Sequence, residues 1–402
     1  MSRRTIEAKE ATPRLVAGTP ASVPLAPVLT GRPQSYARAL WRITSADVSP
    51  GNRVMLYSDG DEAFDAMIAL IEGANESVSL ESYIFRDDST GERFLDALCG
   101  AVSRGVNVRV LGDWIGMRGT SDMFLDRLTS GGVELRVFSS PGLRRWLGLI
   151  PRDHRKLLVA DEKAGITGGI GIGDEWHRGL VLRRRMAWRD RCARIEGPAA
   201  ADMQRAFDTM WRRAAGERPS KAERRLRRKP RNPDLVPATS EPALVAVVEG
   251  EPWRFRVGRA LHLQAAASER SIWLASAYFL PSFAEVDALT GAARDGVDVR
   301  LLVPSENDHP WVHRYQKRYY RSLLSNGVRI WEWGGEMMHA KTSVVDGRWT
   351  RVGSTDFNPL GVAINFELDV YIEDPDVGAK AESLFLADLE LSREIKAPSR
   401  EM

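Results

Sequence analysis

The sequence predicts an α/β fold made twice, each copy a mixed, largely parallel sheet flanked by helices, the two copies related by a pseudo-two-fold. Three observations predict it. Strand-like and helix-like stretches alternate through the first half of the chain, the pattern of a layered α/β protein. The second half repeats that order with local echoes of sequence. Finally, Asp153-His154-Arg155-Lys156-Leu157-Leu158-Val159-Ala160-Asp161 returns as Met338-His339-Ala340-Lys341-Thr342-Ser343-Val344-Val345-Asp346, which keeps His-x-Lys-x4-Asp in full.

Taken in order, residues 1–50 are rich in Ala, Pro, Ser and Thr and lack a sustained period, which predicts a flexible N-terminal arm with Trp41 anchoring its end. The first domain is placed at 51–216. Val54-Met55-Leu56-Tyr57 reads as a strand, and the stretch 61–71 sets Phe64, Met67, Ile68 and Ile71 at helical spacing. Strands follow at 77–85, 106–111 and 133–138, with helices at 92–104 and 121–128 between them. A basic linker at 217–240 holds Arg224, Arg225, Arg227, Arg228, Lys229 and Arg231, and its prolines interrupt regular structure. The second domain is placed at 241–402. There 271–279 echoes 77–85, 293–302 echoes 103–111, and Ser325-Asn326-Gly327-Val328 echoes Gly131-Gly132-Val133. In each of the last two echoes a glycine ends a helix before a short strand. The offsets of 185 to 195 residues describe a duplicated domain rather than a repeat array.

Bulk properties narrow the class. Of 402 residues, 43% are hydrophobic and 28% charged, which is a globular composition with room for two cores. A net charge of +3 implies no strong overall field. Two cysteines, Cys99 and Cys192, exclude a disulfide framework and a cysteine-based zinc site, and suit a reducing compartment. No apolar run approaches the roughly 20 residues that span a bilayer. Arg3 and Arg4 are not followed by an apolar stretch, so a signal peptide is not expected. The expected location is cytoplasmic, with peripheral contact at the inner face of the cell membrane.

The repeated motif carries the chemistry. Side chains two apart on an extended segment share a face, so His and Lys of each copy point the same way. An imidazole beside a fixed positive charge suits attack on a phosphate ester, and two of only six histidines are used in this way.

The doubled motif resembles the phospholipase D superfamily, and its surroundings are most similar to bacterial cardiolipin synthases. The supporting segments are Glu81-Ser82-Tyr83-Ile84-Phe85, 168–176, Trp188-Arg189-Asp190, Gly197-Pro198 with Phe207 and Trp211, Val352-Gly353-Ser354 and Asn365-Phe366-Glu367. The resemblance runs from about residue 51 to about residue 392. It implies His154 as nucleophile and His339 as general acid, then base, with the site at the interface of the halves. Independently of it, a neutral imidazole can attack an anionic phosphodiester and split the reaction into two displacements. A second imidazole can protonate the leaving oxygen. Lys156 and Lys341 would stabilise the charge that builds on the phosphoryl oxygens, so neither a metal nor an organic cofactor is expected. By resemblance, Glu367 and Asp190 orient the two rings. Asp161 and Asp346 close the motifs and are counted with the catalytic set, although the apolar run before each suits a brace. Asp113 and Glu81 are noted for their strand-end positions alone.

One departure is visible. The superfamily places Asn two residues after each Gly-Gly or Gly-Ser pair, and this chain has Gly171 and Asp356 there. An ionised Asp356 would repel phosphate, which leaves Gly169, Ser354 and Asn358 as phosphate-binding candidates. Leu143-Arg144-Arg145-Trp146-Leu147-Gly148-Leu149-Ile150 mixes apolar, aromatic and basic residues as an interfacial segment would, and Arg183-Arg184-Arg185 adds charge near Trp188. These features favour an anionic phospholipid similar to phosphatidylglycerol, with an alcohol as acceptor. A nuclease ranks second; Trp331 and Trp333 could stack bases, and steep salt dependence would reveal it. A membrane-surface scaffold with a weakened site is the third reading.

Overall fold

A computed structural model of the chain describes residues 33–139, 151–177, 187–217 and 243–396. The first half runs α1 (Pro33–Thr44), β1 (Val48–Tyr57), α2 (Gly60–Glu72), β2 (Ser77–Ser82), α3 (Ser89–Ser103), β3 (Asn107–Asp113), α4 (Asp122–Ser130), β4 (Glu134–Phe138), β5 (Lys156–Ala160), β6 (Ala164–Gly168), β7 (Cys192–Glu196) and α5 (Pro198–Ala214). The second half repeats it as β8 (Ala243–Gly250), α6 (Arg256–Ala267), β9 (Ser271–Ala275), α7 (Phe283–Arg294), β10 (Asp298–Pro304), α8 (Pro310–Ser325), β11 (Arg329–Trp333), β12 (Thr342–Val345), β13 (Trp349–Gly353), β14 (Glu367–Glu373) and α9 (Pro375–Glu390), with β15 (Ser392–Ile395) added. The helices start where local chemistry allows. Asp59, Asp88 and Ser121 each accept backbone N–H bonds at the head of α2, α3 and α4, and Ser282 with Glu285 forms a capping box on α7.

All strands described join one sheet, in the order β15-β11-β10-β9-β12-β13-β14-β8-β1-β7-β6-β5-β2-β3-β4. Leaving β15 aside, this order reads identically outward from the β8–β1 junction, so the pseudo-two-fold passes between those strands. Parallel pairing is confined to β2-β3-β4 and β9-β10-β11, where helices cross over between strands. The strands that carry and follow each motif return without a crossover helix and pair antiparallel. The sheet is therefore less parallel than strand–helix alternation suggests. Strand β1 splices the halves: Arg53 to Tyr57 pairs with β7, while Val48, Ser49 and Asn52 pair with β8. Beneath α5 the core mixes both halves, with Leu157, Ile195 and Phe207 against Val245, Val352 and Leu368.

The expected flexible arm through residue 50 needs correction from Pro33 onward. Helix α1 lies on the second half, with Leu40 only 2% exposed among Ala246, Val257 and Ala260, and Tyr36 stacked on Trp349 at 5.0 Å. Leu40 and the stacked Tyr36 anchor the helix, and Trp41, like Tyr36, is half-buried. A 12-residue helix has little stability of its own and depends on this docking, which composition does not reveal. Most of the basic linker, the 143–150 segment and Arg183-Arg184-Arg185 lie outside the described residues.

The two motif aspartates are also corrected. Asp161 and Asp346 follow the far ends of β5 and β12, about 23 Å along an extended chain from their histidines. The Asp161 carboxylate accepts the backbone N–H of Asn75, Glu76 and Ser77 at 2.8–3.0 Å. Asp346 does the same for Glu269, Arg270 and Ser271, also at 2.8–3.0 Å. Each ties its motif strand to the start of the neighbouring strand and touches no reacting group. Asp161→Ala is expected to cost about 1–3 kcal/mol of stability. Denaturant melts would show the loss, and turnover per folded molecule should not change.

Candidate active site

Strands β5 and β12 begin at the carboxyl ends of β2 and β9, so the sheet itself brings the motifs to one end. Just before β5, His154 is pinned by its backbone N–H to the Phe366 carbonyl at 2.9 Å. His339 is held by the Arg189 carbonyl at 2.7 Å. Both bonds cross the interface of the halves.

The side chains cross it as well. His154 Nδ1 lies 3.1 Å from both Glu367 oxygens, and His339 Nδ1 lies 2.6 Å from Asp190 Oδ2. Each ring is thus oriented by a carboxylate from the opposite half. While its carboxylate partner is ionised, as the Lys156 charge and the Ser354 hydroxyl favour for Glu367, each ring carries its proton on Nδ1 and keeps the Nε2 lone pair in the neutral form. The supporting contacts are dense. Ser354 Oγ donates to Glu367, while Asp190 accepts the Arg191 backbone N–H at 2.7 Å and Trp176 Nε1–H at 3.1 Å. Tyr83 meets the His154 ring edge-on at 4.9 Å. Trp176, Trp188 and Tyr278 surround His339, with centroids 5.3–6.1 Å away. Arg189 and Arg191 pair with the buried Asp388 of the second half, which fastens the interface behind Asp190.

Lys156 and Lys341 each donate to the carbonyl of the histidine two residues earlier, at 2.6 Å. They are not equivalent. Lys341 Nζ lies 3.2 Å from Asp356, whereas Lys156 has no ion pair among the described residues. Burial holds both imidazoles well below their usual range, and the neighbouring lysine charges add to the effect. Burial likewise lowers Lys156 to about 8 and raises Asp190 to about 6. It also lifts Glu367 well above the carboxylate range, against the pull of Lys156 and Ser354. At neutral pH this environment favours unprotonated rings beside a protonated Lys156.

The phosphate-binding candidates are reassigned. A Cβ on Gly169 would lie 2.2 Å from Asp190 Oδ1, so this glycine makes room for the orienting carboxylate. Ser354 is fully buried, and its hydroxyl serves Glu367 while accepting the Leu368 N–H at 3.0 Å. Asn358 accepts the Gly361 N–H at 2.8 Å and donates to the Tyr278 carbonyl, holding a turn. Gly171 faces the Trp176 ring and Ile84, within 3.0 Å of where a Cβ would stand, so the indole fills the space a larger residue would need. Asp356 accepts the Tyr278 N–H at 3.0 Å and Ser276 Oγ–H at 3.2 Å beside Lys341, which offsets the repulsion expected of it. Asp113 is buried, bonding Arg152 at 2.8 Å and the Ile115 and Asp153 amides. Glu81 is buried against Asp153 and Arg155. Trp331 and Trp333 are 6% and 7% exposed within the core and are not a stacking surface. Among the described residues no cluster of His, Cys, Asp and Glu could hold a metal, and no helix is long and apolar enough to cross a membrane.

A family model described as "Cardiolipin synthase, PLD-like domain" matches residues 67–211 and 262–389, one segment in each half. The chain belongs to this family. It is accordingly an enzyme of the phospholipase D type. Cardiolipin synthase A of Pseudomonas syringae pv. syringae is 31% identical over 376 residues, covering 92% of this chain and 75% of that protein. The cardiolipin synthase of Geobacillus kaustophilus is 32% identical over 356 residues, covering 87% and 69%. Among solved structures, phosphatidylserine synthase of Haemophilus influenzae Rd KW20 matches with a TM-score of 0.66 at 15% identity, over 90% of this chain and 92% of that one. At that identity the likeness speaks for the fold alone.

The family's two segments thus carry one crossed pair of rings. The sequence points to both rings and both carboxylates but not to the aromatic walls that Tyr83, Trp176, Trp188 and Tyr278 form around the rings. Their signal was proximity to the motif segments, which an aromatic in the core gives equally well.

Proposed function

We propose that this protein transfers a phosphatidyl group from a phospholipid to an alcohol through a phosphohistidine. The observation that carries this reading is the crossed arrangement of the two rings: each Nδ1 is committed to a carboxylate, leaving Nε2 of each for chemistry. In the first displacement His154 Nε2 attacks phosphorus and the bond to the leaving oxygen breaks. Protonated His339 gives that oxygen its proton. A phosphodiester monoanion entering between the lysines favours this protonation, because its charge opposes the lysine repulsion that adds to burial in lowering the ring. In the second displacement His339 Nε2 takes the proton of the incoming hydroxyl, whose oxygen attacks phosphorus as the P–N bond breaks. Lys156 and Lys341 offset the charge on the remaining phosphoryl oxygens in both steps. With phosphatidylglycerol as donor, a second phosphatidylglycerol yields cardiolipin, and water yields hydrolysis. Peripheral contact with the inner face of the cell membrane belongs to this reading.

The test is purified protein with phosphatidylglycerol vesicles, with products followed by mass spectrometry across pH. Cardiolipin and free glycerol are expected, with the rate falling as pH rises through about 8, where Lys156 loses its proton. The absence of both new lipid and released headgroup would overturn the proposal.

A further inference from the structure

We propose that the end of the sheet where the site opens docks on an anionic lipid bilayer, with the first turns of helix α8 as its main contact. Helix α8 has no acidic residue, and the face that it turns outward carries Trp311, Arg314, Tyr315, Lys317, Arg318 and Arg321. Val312, Gln316, Tyr320 and Leu323 hold the opposite face in the protein. A merely solvated helix face mixes both signs of charge and has little reason to expose a tryptophan. Here Trp311 is 55% and Tyr315 45% exposed, their rings 6.1 Å apart, and the Arg318 guanidinium lies 4.3 Å over Tyr315. Aromatic rings among cations suit the headgroup boundary of a bilayer, where rings settle at the interface and basic side chains meet lipid phosphates.

The helix is placed to serve the site. The loop entering it brings Asp308 to the Tyr278 hydroxyl at 2.9 Å, and the Tyr278 ring stands 6.1 Å from His339. A second patch flanks the other ring. Gly250 pairs with Glu367, the partner of His154, and the loop leaving it exposes Trp253 and Phe255 with Arg254 between them. Both aromatics adopt left-handed backbone, with φ 63° and 51°, a conformation bulky residues rarely take. The Trp253 N–H bonds the Ala363 carbonyl at 2.7 Å, tying this loop to the turn that exposes Leu360. Among the described residues, the exposed large hydrophobic side chains fall in the loops and helix ends at this end of the sheet. Among the described residues, the opposite end, where Asp161 and Asp346 sit, has none.

This inference shares with the phosphatidyl-transfer reading only the premise that the substrate is a membrane lipid, and binding can be measured without turnover. The full chain would be sedimented with vesicles of phosphatidylcholine, with and without phosphatidylglycerol. The variants are Arg314→Glu/Arg318→Glu, Trp311→Ala/Tyr315→Ala, and Lys163→Glu at the opposite end. Thermal melts would confirm that each folds. Each basic residue removed is expected to weaken binding to the anionic vesicles about fivefold. The aromatic pair should weaken binding to both vesicle types, and Lys163→Glu should change neither. Turnover of a short-chain phosphatidylglycerol below its micelle concentration should match wild type in all three. Wild-type binding by both double variants would overturn the proposal. So would a single-stranded oligonucleotide that displaces the protein from vesicles and loses its own binding in the same variants. If the variants lose vesicle binding while no form turns over lipid, the docking face stands and the reaction reading fails.

Discussion

Replacing either His154 or His339 by alanine is expected to lower turnover by at least ~10³-fold, the scale on which loss of a nucleophile or its proton partner acts. The two variants should then part company on an activated substrate. A phosphodiester with a nitrophenol leaving group departs without a proton, so the general acid becomes dispensable in the first displacement. His339→Ala is expected to release nitrophenol and to accumulate phosphoenzyme, because the second displacement still lacks its base. His154→Ala should do neither. The reverse pattern would exchange the two roles, and equal loss in both with no phosphoenzyme would remove the covalent intermediate. The asymmetry of the lysines bears on this outcome. Lys341 shares its charge with Asp356, while Lys156 beside His154 has no ion pair among the described residues. The first motif therefore offers phosphate the less encumbered cation, which agrees with His154 as the attacking ring.

The second large effect is expected at a residue that has no side chain of its own. A single methyl added at Gly169 would stand 2.2 Å from Asp190 Oδ1 and 2.7 Å from Oδ2, so Gly169→Ala must push that carboxylate away. Asp190 is the only hydrogen-bond partner of His339 Nδ1 among the described residues. Losing an orienting carboxylate in a comparable arrangement costs about 10⁴ in rate, and displacement should cost ~10²–10³. Gly291→Ala is the control, since nothing lies within 4 Å of a Cβ there and the site is on a helix. Steady-state rates and thermal melts of both variants would separate a site effect from a folding effect. A Gly169→Ala enzyme with wild-type rate would mean that Asp190 does not act through His339.

Much of this was legible in the sequence, and the physical reason is local. A strand that begins with His-x-Lys must point both side chains to one face, and a duplicated chain must bring two such strands together to be useful. The alternation of strand and helix periods likewise survives into α2, β2, α3 and β3 with boundaries close to those expected. What the sequence concealed depends on tertiary placement. Nothing local says that Asp161 will meet the amides of Asn75, Glu76 and Ser77, or that Gly169 is small for the sake of Asp190. Ser354 looked like a phosphate ligand because it stands beside a glycine in the right segment; burial turns its hydroxyl to Glu367 instead. Helix α1 escaped notice because its partners, such as Tyr371 and Trp349, lie hundreds of residues away.

The splice made by β1 has a consequence for traffic through the site. Two lobes joined by a loop can swing apart on a hinge to admit a substrate and discard a product. Here the lobes share a ladder of backbone hydrogen bonds and a common core, so opening would mean tearing a sheet. The spacing of the two rings is accordingly a fixed dimension of the molecule. Lipid must slide in and out past side chains at the open end, and any gate must be a loop or a rotamer, never a yawning of the halves.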